Sequence, residues 1–202
     1  MSSGPEKALL FDIDGTLADT DALHLEAFNL VLGARGHVFD HGRFTRELQG
    51  FSAASICERF LANELPNRQM AIMEEKEAAF RNLVSGQIKP TPGLMKLLAL
   101  ADEPNVPMVA VTNAPRLNAA HGKPHPLPYL EGLRAVNAAA NLSLAFEDSR
   151  SGIKSASAAG IATVGIRTSL SHADMVEAGA LLTAKTFDDP ELIKLVAATI
   201  NW

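Results

Sequence analysis

Ala8-Leu9-Leu10-Phe11-Asp12-Ile13-Asp14-Gly15-Thr16-Leu17 is the stretch from which the rest of the chain is read. An apolar run delivers two carboxylates one residue apart, and Gly15-Thr16 then turns the chain. Side chains at i and i+2 of a strand share a face, so a strand over Ala8–Asp14 brings Asp12 and Asp14 together where it ends. Two acids that close repel unless a proton or cation lies between them. Oxygen ligands of this kind suit a hard divalent ion such as magnesium, and a carboxylate beside such an ion can attack phosphorus to form an aspartyl-phosphate. Asp-x-Asp-Gly also opens an EF-hand loop, but that loop needs a preceding helix and a late Glu. Here a strand-like run precedes it and Leu23 takes the Glu position. A solvated turn is the remaining alternative for this stretch alone.

The bulk of the chain bounds what such a site can serve. With 202 residues it can bury a good core and carry one domain plus an inserted lobe. Hydrophobic content of 47% with 20% charged residues is that of a globular protein. A net charge of −5 without a basic cluster argues against nucleic acid or an anionic membrane as partner. The one cysteine, Cys57, excludes an internal disulfide and reads as a small buried hydrophobe. The residues before the first strand hold no apolar signal core, and no apolar run is long enough to span a bilayer. The expected setting is the cytoplasm.

From Thr20 to about Val84 the pattern is helical. Leu23, Ala27, Leu30 and Val31 form one stripe, Ser52 is placed to cap a helix carrying Ile56 and Phe60, and Met70, Met73, Phe80 and Leu83 recur at helical spacing. These stripes are expected to form the core of a helical bundle. Lys89-Pro90-Thr91-Pro92-Gly93 reads as the hinge out of it. A helix is expected over Pro92–Ala101, a strand over Pro107–Val111, a helix over Pro126–Val136, a strand over Leu142–Phe146, a helix over Gly152–Ala159 and a strand over Ala162–Ile166. Alternating strands and helices imply an α/β fold, a mostly parallel sheet covered on both faces. Ligands bind beyond the carboxyl ends of such strands, where Asp12/Asp14, Thr112/Asn113 and Glu147/Asp148 all fall.

Three further motifs follow in order. Thr112-Asn113 offers a hydroxyl and an amide that can hold phosphoryl oxygens, although a plain turn is the ordinary use of such residues. Lys123, in Gly122-Lys123-Pro124-His125-Pro126, puts a positive charge near a helix start, where anions bind; an exposed loop lysine is the duller alternative. Phe146-Glu147-Asp148-Ser149-Arg150-Ser151-Gly152 brings a second acidic pair to a strand end, as a metal cage or as a helix N-cap. His121 and His125 flank Lys123, but with no third ligand they make a poor zinc site.

Together these motifs resemble, over nearly the whole chain, the β-phosphoglucomutase-like branch of the haloacid-dehalogenase superfamily, including sugar-phosphate phosphatases of the CbbY type. The resemblance implies a Rossmann-like core, residues 1–16 and 88–202, with an α-helical cap inserted over 17–87. It implies that Asp12 is the nucleophile and Asp14 the general acid and then base. Thr112, Asn113 and Lys123 would hold the phosphoryl group. Asp12, Asp148 and the backbone carbonyl of Asp14 would bind Mg2+, with Glu147 behind them. His24, Gly50 and Lys76 match residues that face substrate, Gly50 within the matching cap loop Leu48-Gln49-Gly50-Phe51-Ser52. The expected activity is Mg2+-dependent hydrolysis of a small phosphorylated metabolite, a sugar phosphate, through an aspartyl-phosphate, in a monomer or weak homodimer. The alternatives are a phosphomutase, opposed by Ala53 where the mutase has an arginine, a phosphoglycolate phosphatase, and a catalytically silent binding protein. A dehalogenase fits Asp14, Gly15 and Thr16 less well.

One departure stands out. In the family a helix and an edge strand separate Thr112-Asn113 from the lysine, a crossover unit of roughly 30 residues. Here only ten positions run from Asn113 to Lys123. Natural loss, deliberate removal and residues missing from the sequence near Ala120–His121 are the three explanations. The third is preferred, and it predicts a Cα–Cα separation there well beyond ~3.8 Å. Ten residues can span up to about 33 Å, so Lys123 is still expected to reach the phosphate. The Pro107–Val111 strand is expected to have an exposed flank.

Overall fold

The structure is a computed structural model that describes residues 6–84, 86, 88–102, 105–113 and 122–200. Five strands are described: β1 (Leu9–Phe11), β2 (Met108–Ala110), β3 (Leu144–Glu147), β4 (Ala162–Ile166) and β5 (Leu182–Ala184). All neighbours pair in parallel, in the order β2-β1-β3-β4-β5. The chain leaves β1 to one side and returns to its other side with β3. The strand order therefore reverses next to β1, where α/β sheets place ligands.

Side-chain alternation along the strands divides the core. Leu9 and Phe11 of β1, Leu144 and Phe146 of β3, and Val164 and Ile166 of β4 pack on one face against α5 (Leu94–Asp102) and the C-terminal helix Pro190–Ile200. Phe11 and Phe146, paired in register, stack with centroids 4.7 Å apart. Leu10 and Ala145 point to the other face, against Tyr129 and Leu133 of the Leu127–Ala135 helix and Ala156 of the Arg150–Ala158 helix. A sheet with both faces dry needs apolar residues at successive positions, which is why β1 reads as an unbroken run.

Between β1 and α5 lie four helices, α1 (Asp21–Leu32), α2 (His41–Glu47), α3 (Ala53–Phe60) and α4 (Pro66–Val84). They share a separate apolar cluster containing Phe28, Phe44, Ile56, Cys57 and Met73. Leu23, Ala27, Leu30, Met70, Phe80 and Leu83 of the expected stripes do not join it. Leu30 is 59% exposed and Met70 is 57% exposed, because the stripes are wider than the faces α1 and α4 present to each other. The strand expected from Leu142 begins at Leu144, and Leu142 sits exposed in a 3-10 turn. Sequence patterning also gave no assignment for α2, the helix His172–Ala178, β5 or the last helix, which complete the fold.

The edge expectation holds among the described residues: β2 is a terminal strand, with Met108 and Ala110 exposed. The predicted break near Ala120–His121 and the pairing of His121 with His125 lie outside the described residues.

Candidate active site

Asp12 follows the last residue of β1, and its N–H donates to Phe146 O (3.0 Å), tying it to β3. Gly15 then turns the chain with φ +80°. A side chain at Gly15 would run into the Asp148 carboxylate, so a residue without Cβ is what lets the two strand ends close up. Asp148 itself follows β3. Ser149, not Asp148, caps the next helix, accepting from Gly152 N at 3.1 Å. The acids at this strand end are thus not spent as a cap.

Lys123 lies at the centre. Its side chain is 3% exposed, which removes the exposed-loop alternative. The three ammonium protons have three acceptors: Asp12 Oδ1 at 2.6 Å, Glu147 Oε1 at 2.5 Å and Val111 O at 2.8 Å. Its backbone N–H donates to Asn113 Oδ1 (2.8 Å), so the ten-position connection returns the chain to the strand end it left. Glu147 is fully buried and also accepts from Tyr129 Oη (2.7 Å) and Ser149 Oγ (3.2 Å).

Asp12, Glu147 and Asp148 each offer a carboxylate oxygen, and these oxygens lie within 4.8 Å of one another. Burial drives the Asp12 carboxyl up to about 7 against the pull of Lys123, with Glu147 adding to the rise. Burial raises Asp148 well above the usual carboxylate range, and Asp21 and Asp12 push it further. Lys123 moves the other way from a lone buried lysine: desolvation lowers it, but Asp12 and Glu147 outweigh that and hold it charged. With all three acids ionised, as ion binding requires, they would outnumber Lys123 by two negative charges. A small dication with a preference for hard oxygen ligands matches both the charge and the donor atoms.

The Asp14 carboxylate stands apart from that trio. It accepts from Thr20 Oγ1 (2.9 Å) and lies 3.1 Å from His24 Nε2. Burial would raise its pKa, yet His24 and Thr20 more than offset this and lower it. The His24 contact is close but poorly aligned, so this buried ring nitrogen has no aligned hydrogen-bond partner among the described residues. The imidazole stacks on Phe80 (centroids 3.8 Å apart), and its Nδ1 lies 2.9 Å from Lys76 Nζ. Lys76 is buried beneath the Phe28 ring and also paired with Glu77 at 2.9 Å. Phe80, expected in the bundle core, instead faces the site.

These groups line a cavity of about 280 Å³ between sheet and helices. Its floor is Asp12, Asp14, Thr112, Asn113, Lys123 and Asp148; its roof includes Phe28, Phe44, Phe51, Met73 and Phe80. Gly50 roofs it too, its carbonyl accepting from Asn113 Nδ2 (2.8 Å) and from Ser151 Oγ. Every residue expected to touch phosphate, metal or substrate thus reaches one cavity. Gln49 and Asp21, to which the sequence assigned no role of their own, line it as well. The available signal for Gln49 was slight: one amide between Leu48 and Gly50.

A family model described as haloacid dehalogenase-like hydrolase matches residues 6–160. The CbbY protein encoded on a plasmid of Cupriavidus necator is 32% identical over 91% of this chain and 87% of its own length. That alignment runs over 222 positions, more than the 202 residues here, so the relative carries residues this chain lacks, in keeping with the short Asn113–Lys123 connection. The phosphorylated carbohydrates phosphatase of Thermotoga maritima is 27% identical over 94% of this chain and 99% of its own. Among solved structures, CbbY from Rhodobacter sphaeroides in complex with phosphate superposes with a TM-score of 0.77, at 26% identity, over 91% of this chain and 96% of that one.

Proposed function

The chain belongs to the haloacid dehalogenase-like hydrolases, and we propose that it is a phosphatase of sugar phosphates that works with Mg2+ and passes the phosphoryl group through Asp12. Residues 17–87 serve as the cap, and 1–16 with 88–202 as the core. The substrate is a small phosphorylated metabolite, in keeping with a cavity of about 280 Å³. The chain acts as a monomer or weak homodimer in the cytoplasm, without nucleic acid or membrane as partner. No described helix is long and apolar enough to cross a membrane.

The reaction needs positioning and charge neutralisation more than elaborate chemistry. Asp12 attacks phosphorus while Asp14 gives a proton to the departing ester oxygen, leaving an aspartyl-phosphate and a free alcohol. Asp14, now ionised, takes a proton from water as that water attacks phosphorus, which releases phosphate and restores Asp12. The depressed Asp14 carboxyl suits this second role. Lys123, Thr112 and Asn113 hold the phosphoryl oxygens, and His24 and Lys76 face the rest of the substrate. Asp12 and Asp148, with the Asp14 carbonyl, would hold the ion, which neutralises phosphoryl charge when bound.

The observation that carries this is the convergence of the Asp12, Glu147 and Asp148 oxygens with Lys123 at the point where β1 and β3 end. Turnover of p-nitrophenyl phosphate with Mg2+ is expected, and its loss in Asp12→Asn. Undiminished turnover by Asp12→Asn would overturn the assignment of the nucleophile.

A further inference from the structure

Gln49 reaches from the roof to the core. Its amide nitrogen lies 2.6 Å from Asp148 Oδ2, 2.8 Å from Asp21 Oδ2 and 2.6 Å from Ser169 Oγ. These oxygens come from three places: the end of β3, the first turn of α1 and the loop after β4. A carboxamide nitrogen has two hydrogens, so three acceptors crowd a group that can serve two. Oxygens gathered around one point, two of them from carboxylates, are the surroundings a hard cation takes. The placement is firm. Gln49 is 7% exposed, and the next residue is anchored through its carbonyl by Asn113 and Ser151. Gly50 has φ +71°, and a side chain there would strike Ser149 and Ser151. The loop is seated against the core at the length that delivers the amide to Asp148.

Asp148 is also one of the three acids suited to the ion. Its Oδ1 faces Thr16 Oγ1 at 3.4 Å, and its Oδ2 is the oxygen Gln49 takes. We propose that Gln49 is a cap-borne plug of the divalent-ion position: its amide and the ion compete for Asp148, so the metal-free site is held shut by the cap and ion entry releases the Gln49 loop. The amide nitrogen has no lone pair to offer a metal, and its hydrogens carry partial positive charge toward the same oxygen. Release of Gln49 loosens the Leu48–Ser52 stretch of the roof and widens the way in for a phosphorylated substrate. The inference rests on the metal-dependent function proposed above and gives Gln49 a positioning role in it.

Calorimetric titration of Mg2+ into the full chain, without substrate, tests this in wild type, Gln49→Leu and Gln49→Asn, the last one methylene too short to reach. Loss of a hydrogen bond to a charged group should tighten Mg2+ binding about tenfold or more in both variants. Small-angle scattering should show the wild type expanding on Mg2+ addition, with Gln49→Leu already expanded without it. Should Gln49→Leu fail to melt cooperatively, Gln49→Asn decides. Wild type that binds Mg2+ with variants that bind it equally or more weakly would overturn the plug and leave the phosphatase intact. Wild type that binds no Mg2+ would overturn both.

Discussion

Replacing Lys123 by Met keeps most of the side-chain volume and removes the one cation between Asp12 and Glu147. All three of its protons are used in the native site, at 2.5 to 2.8 Å, and Tyr129 Oη already donates to Glu147. No spare donor among these groups replaces the ammonium. Breaking a buried ion pair by deleting one partner costs about 3–5 kcal/mol. For a chain of this length each kcal/mol moves Tm by roughly 2–4 °C, so the metal-free variant should melt about 6–20 °C below wild type. The loss should also depend on pH. Asp12 has a folded-state pKa of about 7, above its ordinary 3.8, so the protonated acid favours the fold. That stability is complete below about pH 4 and is lost as pH rises through 7. Without Lys123 the acid holds its proton to still higher pH, and the two proteins should differ less at pH 6 than at pH 8. Differential scanning calorimetry of chelator-treated protein at both pH values measures this. A Lys123→Met protein melting within about 2 °C of wild type at pH 8 would refute the claim that this lysine holds two buried carboxylates. Turnover should fall by about a hundredfold or more.

Mg2+ at a hundred times its Kd should stabilise the wild type by about 2.7 kcal/mol, or roughly 5–10 °C in Tm; coincident melts in Mg2+ and in chelator would remove the metal from the site. Gly15→Ala forces Cβ onto the Asp148 carboxylate at a positive φ, so it should weaken Mg2+ binding at least tenfold, read by calorimetry, with a stability loss from backbone strain of about 1–2 kcal/mol. His24→Ala removes the contact that lowers Asp14. Asp14 should then ionise at higher pH, and because it gives up its proton as the aspartyl-phosphate forms, the alkaline limb of the kcat/KM profile should move upward; an unmoved limb would separate His24 from Asp14.

Much of this was legible in the residues alone. The run Ala8–Phe11 could be assigned because a strand dry on both faces has to be apolar at every position, whereas the short edge strand β5 and helix α2 carry too few residues for a period to show. Leu30 and Met70 misled because helical spacing reports a stripe and not how wide a neighbour covers it. The acids and Lys123 were legible as candidates because their chemistry is unusual at strand ends. Their protonation was not, since the Asp12 value of about 7 follows from desolvation and from Glu147 across the strand gap.

By itself the order of strands, helices and acidic strand ends determined the fold class, the helical insertion after the first strand and the list of residues that could carry the chemistry, since alternation and turn signals are local. The tertiary structure alone decided that Lys123 lies between Asp12 and Glu147, that Phe80 leaves the bundle core to stack on His24, and that Gln49 reaches across to Asp148. The hydrogen bonds among these join residues between 24 and 111 positions apart. Contacts of that kind arise from packing separate elements together, and no local pattern encodes them.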